Sequence, residues 1–433
     1  MHFTIEKLVY GGDGLARLPA DEHGPGKAVF VPFVLPGEKI DASLLEQKTG
    51  FARARADQIV EASAHRNEPR CPYFGRCGGC HYQHSSYEYQ LEIKAAILRE
   101  NLRRIAKLEF ENGLAIHPSL PWNYRNRTRV KIQTAPEFAL GYYKINSHEL
   151  LAVEQCPISS PLINRAITAV WQMGRAGGIP GGIHEIEFFA NAEDTQLLIE
   201  AYCATDIPSA RAERCVQELK GTLAEVVGVV LFKAGSSHRT GKVDPERIAL
   251  AGTAELTYNT QRASYRVSAG SFFQVNRHLT DELVSIVTEG FSGRTALDLY
   301  AGVGLFSTVL SRGFAQVTAV EASPTSYADL LYNSTSNVKA VRATTDQFLK
   351  SAAGKLRPDL VVVDPPRSGL GESVVVSLTT LRPARITYVS CDPATVSRDL
   401  AGLLNGGYRI EQAHLADLFP QTYHLESAFH LVR

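Results

Sequence analysis

The stretch "LDLYAGVGLFS", residues 297–307, decides how this chain is read. A short apolar run ends in the acid Asp298, a turn with Gly302 and Gly304 follows, and a helix is expected to begin near Leu305. Glycines in such a turn let the backbone approach a ligand closely. The next apolar run ends in Glu321, where an acid can bond both hydroxyls of a ribose. The turn alone is a weak signal. Together with Glu321 it points to a nucleoside-containing ligand, with a nucleotide fold serving some other ligand as the alternative.

Outward from this turn, "TALDLY", "QVTAVEA", "DLVVVDPP" and "RITYVSCDP" are short apolar runs separated by helix-like stretches. From about residue 262 onward this predicts a mostly parallel sheet with helices on both faces. Three further acids and thiols stand out. "VVVDPPRSGL" (361–370) ends a buried-type strand in Asp364, at the edge where open α/β sheets bind ligands, and two prolines stiffen the turn after it. "YVSCDPATVSRDL" (388–400) places Cys391 at the same edge, as a nucleophile or as a structural thiol. Glu426, in "PQTYHLESAFHLVR" (420–433), is either a working acid or a solvated one on an edge strand.

The first 60 residues read differently. "KAVFVPFVLPGEKIDASLLEQ" and "FARARADQIVEAS" alternate apolar and polar residues, and the glycine turns "GGDG" and "HGPGK" separate the runs. Such a pattern favours a small β-barrel. A loop-like segment, 61–85, then carries "CPYFGRCGGC" (71–80), and an amphipathic helix is expected over about 86–110, with Leu91, Ile93, Ala96, Ile97, Leu102 and Ile105 at helical spacing. From 115 to 260 strand-like runs dominate, with helical patches near 161–174 and 208–220. The expected division is 1–60, 61–260 and 261–433.

Composition bounds the function. The 433 residues are too many for one ordinary core, 44 % apolar and 21 % charged residues are typical of soluble chains, and no apolar run is long enough to span a membrane. The start, "MHFTIEKLVYGG", lacks the basic-then-apolar pattern of a secretory signal. Seven cysteines in so long a chain form no disulfide framework, so a reducing cytoplasm is expected. Lys plus Arg and Asp plus Glu both number 45, so RNA binding has to come from local charge. "NYRNRTRVKIQ" (123–133) puts Arg125, Arg127, Arg129 and Lys131 at period two, one face of a strand, either tracking phosphates or lying solvated. "RARADQ" and "KAGSSHRTGK" are weaker basic candidates.

A thiolate, a carboxylate and a nucleoside-like cofactor together suit one reaction. C5 of uracil is a poor nucleophile. Thiolate addition at C6 makes C5 attack an electrophilic methyl group, and a base must then remove the C5 proton. That assigns Cys391 as nucleophile, Glu426 as base and S-adenosylmethionine as methyl donor across the 298–304 turn and Glu321.

At "SFFQVN" (271–276), "LDLYAGVG", "AVEAS", "DPPRSGL", "YVSCDPATVSRDL" and "HLESAFHL", the chain resembles the RNA (uracil-5-)-methyltransferase family. It is most similar to the branch making 5-methyluridine in 23S ribosomal RNA. The resemblance implies a multidomain enzyme: a TRAM-like β-barrel, a central α+β domain, and a C-terminal Rossmann-like class I methyltransferase. It implies that Gln274, Tyr300, Glu321, Asp346 and Asp364 bind S-adenosylmethionine, and that Cys391 and Glu426 act as above. Leu305 and "TTDQFL" (344–349) depart from the family pattern around the cofactor. It further implies that Cys71, Cys77, Cys80 and Cys156 hold a [4Fe–4S] cluster; from the residues alone, four thiolates suit zinc as well. Cys203 and Cys215 match no motif and are read as structural. RNA, most of all 23S rRNA, is the expected partner of an enzyme expected to be monomeric; the same chemistry on transfer RNA, or a non-catalytic cluster-bearing RNA-binding protein, are the alternatives.

Overall fold

The computed structural model describes residues 1–19, 26–110, 113–233 and 245–433. Six strands come first: β1 (His2–Thr4), β2 (Lys7–Leu8), β3 (Asp13–Arg17), β4 (Ala28–Pro32), β5 (Lys39–Gln47) and β6 (Phe51–Glu61). They pair in the order β1-β5-β6-β4-β3-β2, and β1 lies against β3, so the sheet curls on itself. Period-two alternation puts Val29, Val31, Ile40, Ala42, Ala52 and Ala54 inside, with Phe3, Ile5 and Ala16. This is the expected small barrel.

Next come α1 (Tyr87–Asn101), a π-helical turn (Leu102–Ala106) and β7 (Leu114–His117). The buried face of α1 differs from the apolar periodicity. Ile93, Ile97 and Leu98 are inside as expected, but Ala96 faces solvent, while Gln90 and Lys94 are fully buried. Both polar side chains have partners far along the chain: Lys94 Nζ meets Asp417 at 2.6 Å, and Gln90 Nε2 donates to Gln421 Oε1 at 3.1 Å. The wider π turn then rotates Ile105 outward.

The middle of the chain forms β8 (Arg127–Gln133), β9 (Ala139–Tyr143), β10 (Leu150–Ala152), α2 (Pro161–Arg175), β11 (Ile183–Ala190), β12 (Leu197–Cys203), α3 (Ser209–Lys220), β13 (Val226–Lys233) and β14 (Glu246–Gly252). The sheet order is β10-β9-β8-β11-β12-β13-β14. Both helices pack on it, through Leu162, Ile167 and Val170 of α2 and Ala212, Val216 and Leu219 of α3. Cys203 and Cys215 are buried in this core.

The basic row does not stand free for phosphates. Arg127, on β8, is buried between Glu187 and Glu200; Arg129 pairs with Glu187 and Lys131 with Glu185. The acids come from β11 and β12, and antiparallel register places Glu187 opposite Arg129 and Glu185 opposite Lys131. Sequence alternation showed the cations but not the facing acids. Arg53 and Arg55 of "RARADQ" also pair with acids, Asp13 and Asp57. "KAGSSHRTGK" begins at the last residue of β13 and otherwise lies outside the described residues.

A hairpin, β15 (Glu255–Asn259) and β16 (Ser264–Ser268), leads through α4 (Thr280–Thr288) into the last sheet. Its elements are β17 (Gly293–Leu299), α5 (Ser307–Leu310), β18 (Phe314–Glu321), α6 (Pro324–Asn333), β19 (Val338–Arg342), α7 (Thr345–Ala352), β20 (Leu360–Val363), α8 (Gly371–Leu381), β21 (Arg385–Ser390), α9 (Pro393–Asn405), β22 (Arg409–Ala416) and β23 (Glu426–Val432). The order is β19-β18-β17-β20-β21-β23-β22-β7. β17 to β21 are parallel, and β23 runs antiparallel to both neighbours. Leu297, Leu299, Val361 and Val363 face α1, α8 and α9, while Ala296, Leu360 and Val362 face the hairpin and α4, so both sheet faces are covered. Among the described residues no helix is long and apolar enough to cross a membrane.

Candidate active site

Strand pairing joins the two ends of the C-terminal motifs. β21 and β23 are neighbours in antiparallel register, with Ser390 opposite Ser427. One step further, beyond the end of β21, lies Cys391, and Glu426 is the first residue of β23. Ser427 Oγ donates to Ser390 O at 3.2 Å and fixes the strand end. β23 is interior and all its residues are buried, so Glu426 is no solvated edge acid.

Asp392 follows as the N-cap of α9, accepting from the backbone N–H groups of Ala394 and Thr395 at 3.0 and 2.9 Å. Cys391 thus sits at a strand-to-helix junction. Burial pushes its thiol up to about 12, the Glu426 carboxylate adds to the rise, and the Arg367 guanidinium opposes it. Burial and then Asp364 push Glu426 well above the usual carboxylate range, and Arg367 again opposes. A carboxyl raised in this way is a better proton acceptor once ionised. His424 borders the site, with its Nδ1 3.3 Å from Arg367. Burial, with Arg367, lowers it to about 3, so it stays neutral near neutral pH.

The parallel strands end on the same edge. Leu299 pairs with Val320 and Val363, which places Tyr300, Glu321 and Asp364 side by side. Tyr300 and Gly302 have positive φ, 62° and 55°, which turns the loop sharply over the strand ends. Glu321 holds that loop: it accepts from Gly302 N at 2.9 Å and from Ser323 N at 2.6 Å. Burial raises its carboxyl. Asp298 beneath the turn is fully buried, bonded to Ser307, and its Oδ1 has no partner. Burial lifts Asp298 up to about 7, and burial with the Asp298 charge lifts Asp364 up to about 7. Gln274 is buried in the segment between β16 and α4. That segment is tied down through Ser271, whose Oγ donates to Asp329 at 2.7 Å, and Asn276, whose Nδ2 donates to Leu418 O at 3.1 Å. Asp346 differs from the others: it stands at the start of α7 with Lys350 at 2.6 Å and Ser373 as partners, and these hold it below its usual range.

The four cysteines of the expected cluster line one cavity of about 200 Å³, with Gln83, Arg125, Arg129 and Tyr142. Among the described residues no group of three or more His, Cys, Asp or Glu side chains converges to hold a metal ion. Burial raises Cys77 to about 11 and Cys80 further. Arg125 Nε is a buried donor with no partner, and Arg125 lines this cavity, not a phosphate-tracking row. A buried N–H donor without a partner beside four thiols fits an anionic occupant.

Several residues at the site carried no role in the sequence. Arg367 lies inside "DPPRSGL", so its motif was visible and its target was not. Asp329 accepts from Ser268, Ser271 and Arg266, and holds the hairpin and the Gln274 segment to α6. Tyr10 of the barrel reaches Cys391, and no local pattern signals it.

Residues 86–433 match the tRNA (uracil-5-)-methyltransferase family, and residues 3–56 match the TRAM domain. The chain is 35 % identical over 435 residues to an uncharacterized RNA methyltransferase of Aquifex aeolicus, covering 99 % of this chain and 97 % of that one. It is 32 % identical over 448 residues to one of Thermotoga maritima, covering 99 % and 98 %. Among solved structures, the Pyrococcus abyssi tRNA (uracil-54, C5)-methyltransferase in complex with S-adenosyl-L-homocysteine shares the fold over 100 % of both chains, with a TM-score of 0.75 and 24 % identity. The barrel is thus a TRAM domain and the last sheet a class I methyltransferase fold. By family match across four-fifths of its length, this chain belongs to the S-adenosylmethionine-dependent RNA (uracil-5-)-methyltransferases.

Proposed function

We propose that the protein methylates C5 of a uridine in 23S rRNA, with Cys391 as nucleophile and Glu426 as proton acceptor. The observation that carries this reading is the β21–β23 register, which sets a thiol and a buried carboxyl side by side at the ligand-binding edge of the sheet. The Cys391 thiolate bonds C6 of the uracil, and the electron pair moves to C5. S-adenosylmethionine, when bound, would supply the electrophilic methyl group that this C5 electron pair takes, with S-adenosylhomocysteine as the leaving group. Glu426 takes the C5 proton, the Cys391–C6 bond breaks, and the thiolate is restored. Arg367 favours the ionised forms of both Cys391 and Glu426. Tyr300, Glu321, Asp364 and Gln274 line the cofactor's place, with Glu321 suited to its ribose hydroxyls and Asp364 to its cationic end. Asp346, with Lys350 and Ser373 as its partners, is the fifth member of this set.

The four cysteines hold a [4Fe–4S] cluster in this reading, in a reducing cytoplasm. The cavity and the Arg125 donor fit such an anionic group. The cluster braces the loop next to the active site. Iron and sulfide analysis after anaerobic purification tests it; absence of both overturns it. The expected division into 1–60, 61–260 and 261–433 belongs to the same proposal.

A second reading keeps the chemistry and replaces the RNA. The Pyrococcus abyssi structure, which spans the whole chain, is of an enzyme for uracil-54 of tRNA. Methyl transfer from labelled S-adenosylmethionine to total RNA lacking 5-methyluridine decides between them. Label in 5-methyluridine from 23S rRNA supports the first reading, the same nucleoside from tRNA supports the second, and label in neither overturns both.

A further inference from the structure

The barrel reaches the active site. Tyr10 lies on the loop between β2 and β3, and its hydroxyl donates to the backbone oxygen of Cys391 at 3.1 Å, across 381 positions of sequence. The loop is held from both sides. Within the barrel, Val9 N donates to Asp13 O at 2.9 Å and Gly12 N to Val9 O at 3.1 Å. Outside it, the Tyr10 ring meets Tyr423 edge-on at 5.3 Å, and Tyr423 meets His81 at 4.6 Å. Gly12, at φ 95°, lies so near His81 that a Cβ there would stand 3.0 Å from its Cβ. Lys7 pairs with Glu100 of α1 and anchors the same strand.

We propose that Tyr10 is a positioning residue for the nucleophile. This rests on the reading of Cys391 as nucleophile. The mechanism is geometric and electrostatic. Cys391 has a strand behind it, fixed by Ser427, and a helix cap in front, fixed by Asp392. The peptide oxygen between these fixed points carries the negative end of a dipole close to the sulfur. A phenol donor on that oxygen draws the dipole away from a developing thiolate and sets the rotation of the Cys391–Asp392 peptide. Burial raises the Tyr10 hydroxyl far above its usual range, so it stays a donor at every working pH. The barrel must therefore be docked for the nucleophile to be set.

Tyr10→Phe removes the donor and keeps the ring against Tyr423. The full-length protein should lose about tenfold in kcat, with KM for RNA unchanged. Alkylation of Cys391 by iodoacetamide, followed by peptide mass spectrometry, should shift its pH profile upward. Gly12→Ala, which strains the same loop and presses it on His81, should move the profile in the same direction. Wild-type kcat with an unmoved profile, or an effect confined to KM, overturns the proposal. Cys391→Ala, run in parallel, separates the two layers. If it retains methylation, the nucleophile assignment fails; if it is inactive while Tyr10→Phe is unaffected, only the positioning role fails.

Discussion

Arg367 is the residue that tunes the site. Burial raises both Cys391 and Glu426, and the guanidinium opposes both shifts. Arg367→Gln should therefore move the pH dependence of Cys391 alkylation upward and lower kcat roughly tenfold, a loss of about 1.4 kcal/mol in transition-state stabilisation. A Lys at 367 should restore part of the rate. Asp298 tunes the cofactor edge in the opposite sense. Its folded carboxyl, raised to about 7, stands above the ordinary ~3.9, so its favourable contribution is complete below about pH 4 and is lost as pH rises through 7. Asp298→Asn should raise stability relative to wild type, and more at pH 8 than at pH 5. Thermal melts of the cofactor-free protein at the two pH values check this; an equal difference at both excludes the coupling.

At the scale of elements, the loop between β22 and β23 is the critical connection, because it delivers Glu426. Lys94 of α1 reaches Asp417 at 2.6 Å and Phe419 O at 2.9 Å, with both charged side chains fully buried. Gln90 exchanges hydrogen bonds with Gln421, through its Oε1 from Gln421 N at 3.0 Å and through its Nε2. Tyr124 donates to Pro420 O at 3.0 Å. Gln421 is held at φ 69°, a conformation that a non-glycine residue keeps only when its surroundings impose it. Lys94→Met leaves a buried carboxylate without its cation and should cost about 3–5 kcal/mol. The double variant Lys94→Met/Asp417→Leu should recover most of it. Urea unfolding of the three proteins measures both numbers, and a double variant no more stable than the single one would show that the pair does more than balance charge.

The whole molecule converges on one point. The barrel meets Cys391 through Tyr10, and the cysteine loop meets the same region through His81 and Tyr82, whose N–H groups both donate to Gln421 O at 2.9 and 3.0 Å. Cys80 immediately precedes His81. On the proposed cluster, Cys80→Ser should lower bound iron, reduce the thermal midpoint and slow methyl transfer together, since the loop that loosens also holds the approach to Glu426. Iron analysis, a melt and single-turnover kinetics test the linkage. Full activity at depleted iron would make the cluster and the catalytic loop independent.

What the sequence determined by itself was local. The alternation of apolar runs and helix-like stretches gave the parallel sheet, because strand and helix periodicities are short-range signals. Cys391, Glu321 and Asp364 were legible because each ends such a run. Cys71, Cys77 and Cys80 were legible because they lie within ten residues, and Cys156 only through the family resemblance. The tertiary structure alone decided what each polar group faces. It turned the period-two basic row of β8 into ion pairs with β11 and β12, because strands distant in sequence supplied the acids. It buried Gln90 and Lys94 on a helix face that hydropathy assigns to water, because Asp417 and Gln421 met them there. It brought Tyr10 to a carbonyl 381 residues away. Hydrogen-bond and charge partners depend on through-space distance, and a sequence records only separation along the chain.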